Sequence, residues 1–302
     1  MDKITPRDKA HWLELRMQDV TSSEVAALFN LSPWITKFEL WHRKKNKEVV
    51  SVEDNERIRW GNRLEEAIAH GIADDQGWTV HPFKDYARIP GMRLGSSFDF
   101  LMFNGEKEGL LEIKNVDSLQ LKDKWVIEGG QVVEAPPHIE IQCQHQMMVS
   151  GHDYLYIGAL VGGNTVKLIK RRPNNKIIKK IKTEAGKFWT SIDEDNPPRP
   201  DFLRDARFIS ELYNYSEPGK LLETEDMEIK RLVDKYKSFG DLIKEAKEKK
   251  DATKAKILMK IGDAEKVISD SYSISSRMIG PKTVTYEAKG YRDFRIHIKK
   301  EK

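Results

Sequence analysis

In the run Leu110-Leu111-Glu112-Ile113-Lys114, a carboxylate and an ammonium stand two residues apart among aliphatic side chains. Alternate side chains of a strand share a face, so Glu112 and Lys114 point together while Leu111 and Ile113 point the other way. Asp99, in Ser96-Ser97-Phe98-Asp99-Phe100, reads as part of the preceding strand, and a hairpin loop over Asn104–Gly109 can bring it close to Glu112. Paired carboxylates are hard oxygen ligands that select Mg²⁺ or Mn²⁺ over softer metals. Ile113 could add its backbone carbonyl as a further ligand. A metal held there lowers the pKa of its water and polarises a phosphate, and Lys114 can orient that water and balance charge. This set suits phosphodiester hydrolysis with one or two metal ions. An isolated Glu-x-Lys is more often a salt bridge between ordinary strand residues, so the flanking segments must decide.

Those segments read as a mixed α/β (α+β) chain. Thr21 and Glu24 have capping-box spacing ahead of Val25-Ala26-Ala27-Leu28-Phe29, which predicts a helix starting near Thr21 and ended by Leu31-Ser32-Pro33-Trp34. Thr36 with Glu39 opens a second helix, and residues 60–74 form a third, with Trp60, Leu64, Ala67, Ile68 and Ile72 at helical spacing. Thr79–Ile89 is extended. Arg93–Phe103 and Leu110–Val116 are two strands. A helix runs from Pro136-Pro137 to Ser150, closed by Gly151. His138, Gln142 and His145 share one stripe of it, while Met147 and Met148 read as core. Tyr154–Val161 and Thr165–Lys170 make a second hairpin, and Thr183–Ile192 a short helix. After Asn196-Pro197-Pro198-Arg199-Pro200 the character changes. Residues 225–247 and 252–268 read as a charged helical hairpin around Lys249-Lys250-Asp251. Short strands follow, with Tyr272, Ile274, Ser276 and Met278 alternating, as do Phe294, Ile296 and Ile298. The expected division is a catalytic domain over 1–205 and an appendage over 206–302.

The 302 residues suffice for one large core plus that appendage. No apolar run approaches the roughly 18 residues of a membrane span, and the opening MDKITPRDKAHW has no apolar signal core. The expected compartment is the cytoplasm, without a membrane partner. The lone cysteine, Cys143, excludes an internal disulfide, a thiolate zinc site and an iron–sulfur cluster. A net charge of +4 says little about partners. The acid-free cluster Lys170, Arg171, Arg172, Lys176, Lys179, Lys180 and Lys182 says more, as a track for a phosphate backbone or as a solvated turn.

Six separated motifs then occur in order: Thr21-Ser22-Ser23-Glu24, Leu31-Ser32-Pro33-Trp34, Trp60-Gly61-Asn62-Arg63-Leu64-Glu65, Ser97-Phe98-Asp99, Gly109-Leu110-Leu111-Glu112-Ile113-Lys114 and Gln142-Cys143-Gln144-His145-Gln146-Met147. Together, over about residues 11–165, they resemble the YqaJ viral recombinase family, which is similar to lambda exonuclease within the PD-(D/E)XK nuclease superfamily. The resemblance implies a restriction-endonuclease-like core, a central mixed sheet flanked by helices. It implies that Asp99 and Glu112 bind Mg²⁺, that Lys114 positions the attacking water, that Glu65 approaches the metals from its helix, and that Gln142 contacts the scissile phosphate or the water. The family has proline before this aspartate and glycine after it. Phe98 and Phe100 stand there instead, which leaves the turn geometry open.

Arg16 and Ser23 match the family's terminal-phosphate positions. A helix N-terminus with an added hydroxyl and guanidinium binds phosphate well, whereas the local pattern alone reads as ordinary capping beside a surface arginine. Trp34 and Trp41 read as core residues or as stacking platforms for bases. The expected function is a phage-type alkaline exonuclease that digests linear double-stranded DNA 5′→3′, leaving 3′ single strands for a phage single-strand annealing protein in a bacterial host cell. The alternatives are an endonuclease with the same metal site and an inactive DNA-binding or assembly protein. The resemblance also implies a ring-shaped homo-oligomer around DNA.

Overall fold

The computed structural model describes residues 1–48, 56–287 and 290–297. The chain divides into two compact units, Met1–Ile209 and Ser210–Lys302.

The first unit opens with β1 (Asp2–Ile4), α1 (Lys9–Gln18), β2 (Val20–Thr21), a 3-10 turn at Val25–Phe29 and α2 (Lys37–Asn46). Then come α3 (Glu56–Gln76), β3 (Thr79–Pro82), β4 (Tyr86–Ile89), β5 (Leu94–Ser96), β6 (Phe100–Phe103) and β7 (Glu108–Val116). After these lie α4 (Ser118–Lys124), β8 (Val126–Glu128), β9 (Gln131–Glu134), α5 (Pro137–Ser150), β10 (Leu155–Val161), β11 (Thr165–Arg171), α6 (Asn175–Asp193) and α7 (Ala206–Leu212). Local chemistry sets several boundaries. The Thr36 hydroxyl accepts the Glu39 N–H at 3.0 Å to start α2. Gly151, at φ 78°, ends α5 in the left-handed region that glycine enters without strain.

The main sheet has the order β11-β10-β7-β6-β3 and is mixed: β7 runs parallel to β10 and antiparallel to β6. It is the expected mixed sheet flanked by helices. Its two faces hold separate cores. Leu111 and Ile113 of β7 pack with Phe100, Met102 and the Ile68, Ala69, Ile72 and Ala73 stripe of α3. Leu110 and Val116 belong to the larger cluster, which takes in Ile139, Cys143 and Met147 of α5 and Ile181, Ala185 and Phe188 of α6. Each buried aliphatic side chain is worth about 1.5–3 kcal/mol. A second sheet, β1-β4-β5-β2, carries the N-terminal strands.

Three sequence expectations need correction here. Arg93–Phe103 is not one strand. It splits into β5 and β6, which belong to different sheets, and Asp99 sits in the bend between them. Phe98 and Phe100 would share a face of a continuous strand, yet Phe98 joins the larger core, against Phe83, while Phe100 joins the α3 core. The chain must turn between them. Nor does an α-helix start near Thr21. Thr21 is extended and pairs with Gly95 in a parallel β2–β5 ladder, and the following helical segment is only the five-residue 3-10 turn. The Thr21–Glu24 pairing forms with the carboxylate as acceptor, from the Thr21 N–H at 3.0 Å and its hydroxyl at 2.9 Å. The predicted short helix at Thr183 in fact begins at Asn175, capped by the Asn174 side chain, so Lys176, Lys179, Lys180 and Lys182 lie on a helix.

In the second unit the expected helical hairpin is a single 35-residue helix, α8 (Met227–Ile261). Lys249-Lys250-Asp251 contains no glycine or proline, and lysine is a good helix former, so nothing there breaks the hydrogen-bond ladder. The antiparallel pair β12 (Lys266–Ile268) and β13 (Ser273–Ser275) follows, with Val267 opposite Ile274. The expected strand through Phe294 and Ile296 is not formed among the described residues, and Ile298 lies outside them; Phe294 packs instead edge-on to Tyr236 at 5.8 Å.

Candidate active site

The β6–β7 ladder ends at Phe100 opposite Leu111. One residue beyond, the Asp99 side chain takes the place of a strand partner: its Oδ2 accepts the Ile113 N–H at 2.8 Å. That bond holds the aspartate against the segment carrying Glu112 and Lys114. Glu112 itself is 2% exposed on the face shared with Leu110. A buried carboxylate is costly unless its oxygens find donors, and here each one does. Oε1 accepts from Lys114 Nζ and, at 2.6 Å, from Gln142 Nε2. Oε2 accepts from Gln146 Nε2, also at 2.6 Å. The two glutamines are one turn apart on α5, so one helix face serves both oxygens.

Glu65, half-buried on α3, joins this group electrostatically. Burial pushes its carboxyl above the ordinary value, and the negative charge of Glu112 adds to the effect. Burial, followed by repulsion from Glu112, pushes Asp99 well above the usual carboxylate range. Burial by itself would weaken the Lys114 ammonium, but Glu112 and Asp99 outweigh it and hold the lysine above its ordinary value. Three carboxylates thus face one ammonium.

Among the described residues, no three His, Cys, Asp or Glu side chains close into a cage around a metal ion. The donor set still fits a hard divalent cation. Its groups are carboxylate oxygens, they repel one another while shielded from water, and one ammonium leaves their charge uncompensated. Asp99 and Glu112 are the residues that would hold it. At Ile113 the recorded contact is through the N–H rather than the carbonyl.

A second polar cluster surrounds Arg16. Its guanidinium donates to Ser23 Oγ at 3.0 Å and lies over the Trp12 ring at 4.6 Å. Lys44 pairs with Glu24 at 2.8 Å and donates to the Arg16 carbonyl at 2.7 Å. Burial opposes charge on both partners. Lys44 is left below its ordinary pKa, while Lys44 and Arg16 together hold Glu24 below its own. This cluster is tied to the Asp99 bend, because Ser22 meets Ser96 at 3.0 Å and Trp12 Nε1 donates to Ser97 Oγ at 2.8 Å.

The remaining expectations divide. His145 is fully buried, with Nε2 on the Gly95 carbonyl at 3.0 Å, and burial drives its pKa down to about 4. It anchors α5 to β5 and leaves the Gln142 stripe. Trp41 is core, while Trp34 is 81% exposed. Arg171, within the basic cluster, is committed to Glu140 at 2.6 and 2.7 Å and to the Val133 carbonyl. Sequence reasoning assigned no role to Gln146, Trp12 or Lys44. A glutamine at i+4 from Gln142, on the same side of the helix, was the available signal for the first of these.

A family model described as YqaJ-like viral recombinase domain matches residues 11–153. Among solved structures, the chain is similar to an alkaline exonuclease, LHK-Exo, from Laribacter hongkongensis, at 17% identity over 68% of this chain and 100% of that one, with a TM-score of 0.48. It is also similar to a phage related exonuclease from Haemophilus somnus, at 12% identity over 59% of this chain and 96% of that one, with a TM-score of 0.42. Comparison with curated proteins returned no significant match. No helix among the described residues is long and apolar enough to cross a membrane. The span matched by the family model contains Arg16, Ser23, Glu65, Asp99, Glu112, Lys114 and Gln142, and over it the chain is similar to the YqaJ-like viral recombinase domain.

Proposed function

We propose that the first unit is a Mg²⁺-dependent exonuclease that digests linear double-stranded DNA 5′→3′. The observation that carries this reading is the mutually repelling set of buried Glu112 with half-buried Asp99 and Glu65, gathered around the Lys114 ammonium. A bound Mg²⁺ or Mn²⁺ would supply an activated water and polarise the scissile phosphate. Asp99 and Glu112 would hold the cation. Lys114, hydrogen-bonded to Glu112 Oε1, would orient the attacking water. Gln142, bonded to the same oxygen, would contact water or phosphate. Glu65 adds negative charge from α3. The Arg16–Ser23 pair takes the terminal 5′-phosphate through a forked guanidinium and a hydroxyl. No α-helix N-terminus assists it, because Thr21 is in a strand. The exposed lysines of α6 are proposed to follow the phosphate backbone.

The family resemblance extends the proposal to a ring-shaped homo-oligomer that hands 3′ single strands to a phage annealing protein. Light scattering of the purified chain tests the ring, and a monomer that still degrades long DNA processively would remove it. The main test is a time course on end-labelled duplexes with 5′-phosphate, 5′-hydroxyl and covalently closed circular controls, with and without Mg²⁺. Asp99→Ala, Glu112→Ala and Lys114→Ala should each lower the rate on the order of 10²-fold or more, the scale of removing a major electrostatic stabiliser. Full activity of Glu112→Ala in metal-depleted buffer, or rapid cutting of circles, would overturn the assignment.

A further inference from the structure

Gln146 is 2% exposed on α5, in the middle of the larger core's helix layer. Its Nε2 donates to Glu112 Oε2 at 2.6 Å, while its Oε1 is buried with no hydrogen-bond partner. The orientation of the amide follows from its partner, since a carboxylate oxygen accepts and an amide oxygen turned toward it would be repelled. A buried amide with an orphaned oxygen is a poor choice for packing alone, where methionine has similar volume and no polar atom to desolvate. The carboxylate it holds is what distinguishes the position.

The two oxygens of Glu112 are held unequally. Oε1 is shared by Lys114 and Gln142, both of which reach partial exposure. Oε2 has only Gln146 recorded on it, and Gln146 is sealed in the core. The partners of Oε1 can move toward solvent or substrate, whereas the partner of Oε2 has nowhere to go. We infer that Gln146 is a positioning residue that makes Glu112 a one-oxygen ligand: it keeps Oε2 occupied and leaves Oε1 as the oxygen a cation can take. This rests on the metal-site reading above and deepens it. Mg²⁺ demands a small, near-octahedral shell in which carboxylates bind through one oxygen. Ca²⁺ accepts a larger, flexible shell that tolerates both oxygens of one carboxylate. A clasp on Oε2 therefore favours Mg²⁺ over Ca²⁺.

The test is titration calorimetry of Mg²⁺ and of Ca²⁺ into the full-length protein, wild type beside Gln146→Met and Gln146→Asn. The first variant keeps the volume without the donor, and the second keeps an amide that is one methylene too short. Circular dichroism melts identify which variants are folded. In either folded variant, affinity for Ca²⁺ relative to Mg²⁺ should rise about fivefold or more over wild type, and Ca²⁺ should inhibit Mg²⁺-supported cleavage at correspondingly lower concentration. An unchanged ratio in a folded variant overturns the role of Gln146 and leaves the nuclease reading standing. Absence of divalent-cation binding by the wild type, with and without duplex DNA, overturns both.

Discussion

Gly95 links the packing of the small sheet to the placement of Asp99, and the substitution Gly95→Ala tests that link. A Cβ built on Gly95 would lie 2.0 Å from Tyr86 Oη, 2.5 Å from Tyr86 Cζ and 2.7 Å from Asp19 Oδ2. Ordinary contact begins near 3.4 Å, so the tyrosine would have to retreat by more than about 1 Å. It has little freedom to do so. Tyr86 and Asp19 are both fully buried, the phenol donates to Asp19 Oδ2 at 3.1 Å, and Arg88 holds the other carboxylate oxygen at 2.7 Å. Overpacking of this kind costs about 1–3 kcal/mol, and weakening a bond to a buried carboxylate adds roughly 1 kcal/mol. Gly95→Ala should thus destabilise the first unit by about 2–4 kcal/mol in urea unfolding. Because the Gly95 carbonyl also receives His145 and β5 leads within three residues to Asp99, cleavage should fall more than stability at moderate temperature predicts. Tyr86→Phe removes the nearest atom, so Gly95→Ala should cost less in that background, a coupling that a double-mutant cycle reads directly. A cost under about 0.5 kcal/mol, or equal costs in both backgrounds, would refute the packing argument.

His145 predicts an acid-sensitive fold. Its native pKa, about 4, lies below the ordinary value of 6.5, so between those values the unfolded chain binds the proton and the native protein does not. Stability should fall as pH drops from 6.5 to 4, by about 3 kcal/mol from this residue, and His145→Gln should flatten that slope in pH-dependent urea melts. Arg171→Ala should cost about 1.5–3 kcal/mol in the same melts, since it removes a charge-assisted pair with part-buried Glu140 and releases the Val133 carbonyl; a loss below about 0.5 kcal/mol would mean that the pair behaves as a surface bridge. Arg16→Ala should shrink the rate preference for 5′-phosphorylated over 5′-hydroxyl ends by the equivalent of about 1.5–3 kcal/mol, and an unchanged ratio would remove Arg16 from the phosphate pocket.

Much of the site's composition was legible from local rules. Period-two alternation put Glu112 and Lys114 on one face of β7, and the structure hydrogen-bonds them. Gly151 and Thr36 marked helix ends because capping depends on a few adjacent residues. Gln142 was legible as a polar position on α5 and lies against Glu112, whereas Arg16 and Ser23 stood out only through the family resemblance and hydrogen-bond each other.

Other features depended on contacts that no local pattern encodes. Asp99 reads as a strand residue because Phe98 and Phe100 look like any alternating pair; only their division between two cores bends the chain there. Thr21 and Glu24 match a capping box at the level of spacing, but Thr21 pairs with Gly95, 74 residues away, and that ladder takes precedence over the local helix. The apolar stripe of residues 225–268 suits two short packed helices as well as one long exposed one, since periodicity records which side chains share a face and says nothing of what covers it. Gln146 looks like one more polar residue in a helix until β7 lies beneath it. The sequence by itself supplied the carboxylates, the lysine and the elements that carry them. The tertiary structure decided which oxygen of Glu112 each partner holds, because that depends on the register between a strand and a helix about 30 residues apart.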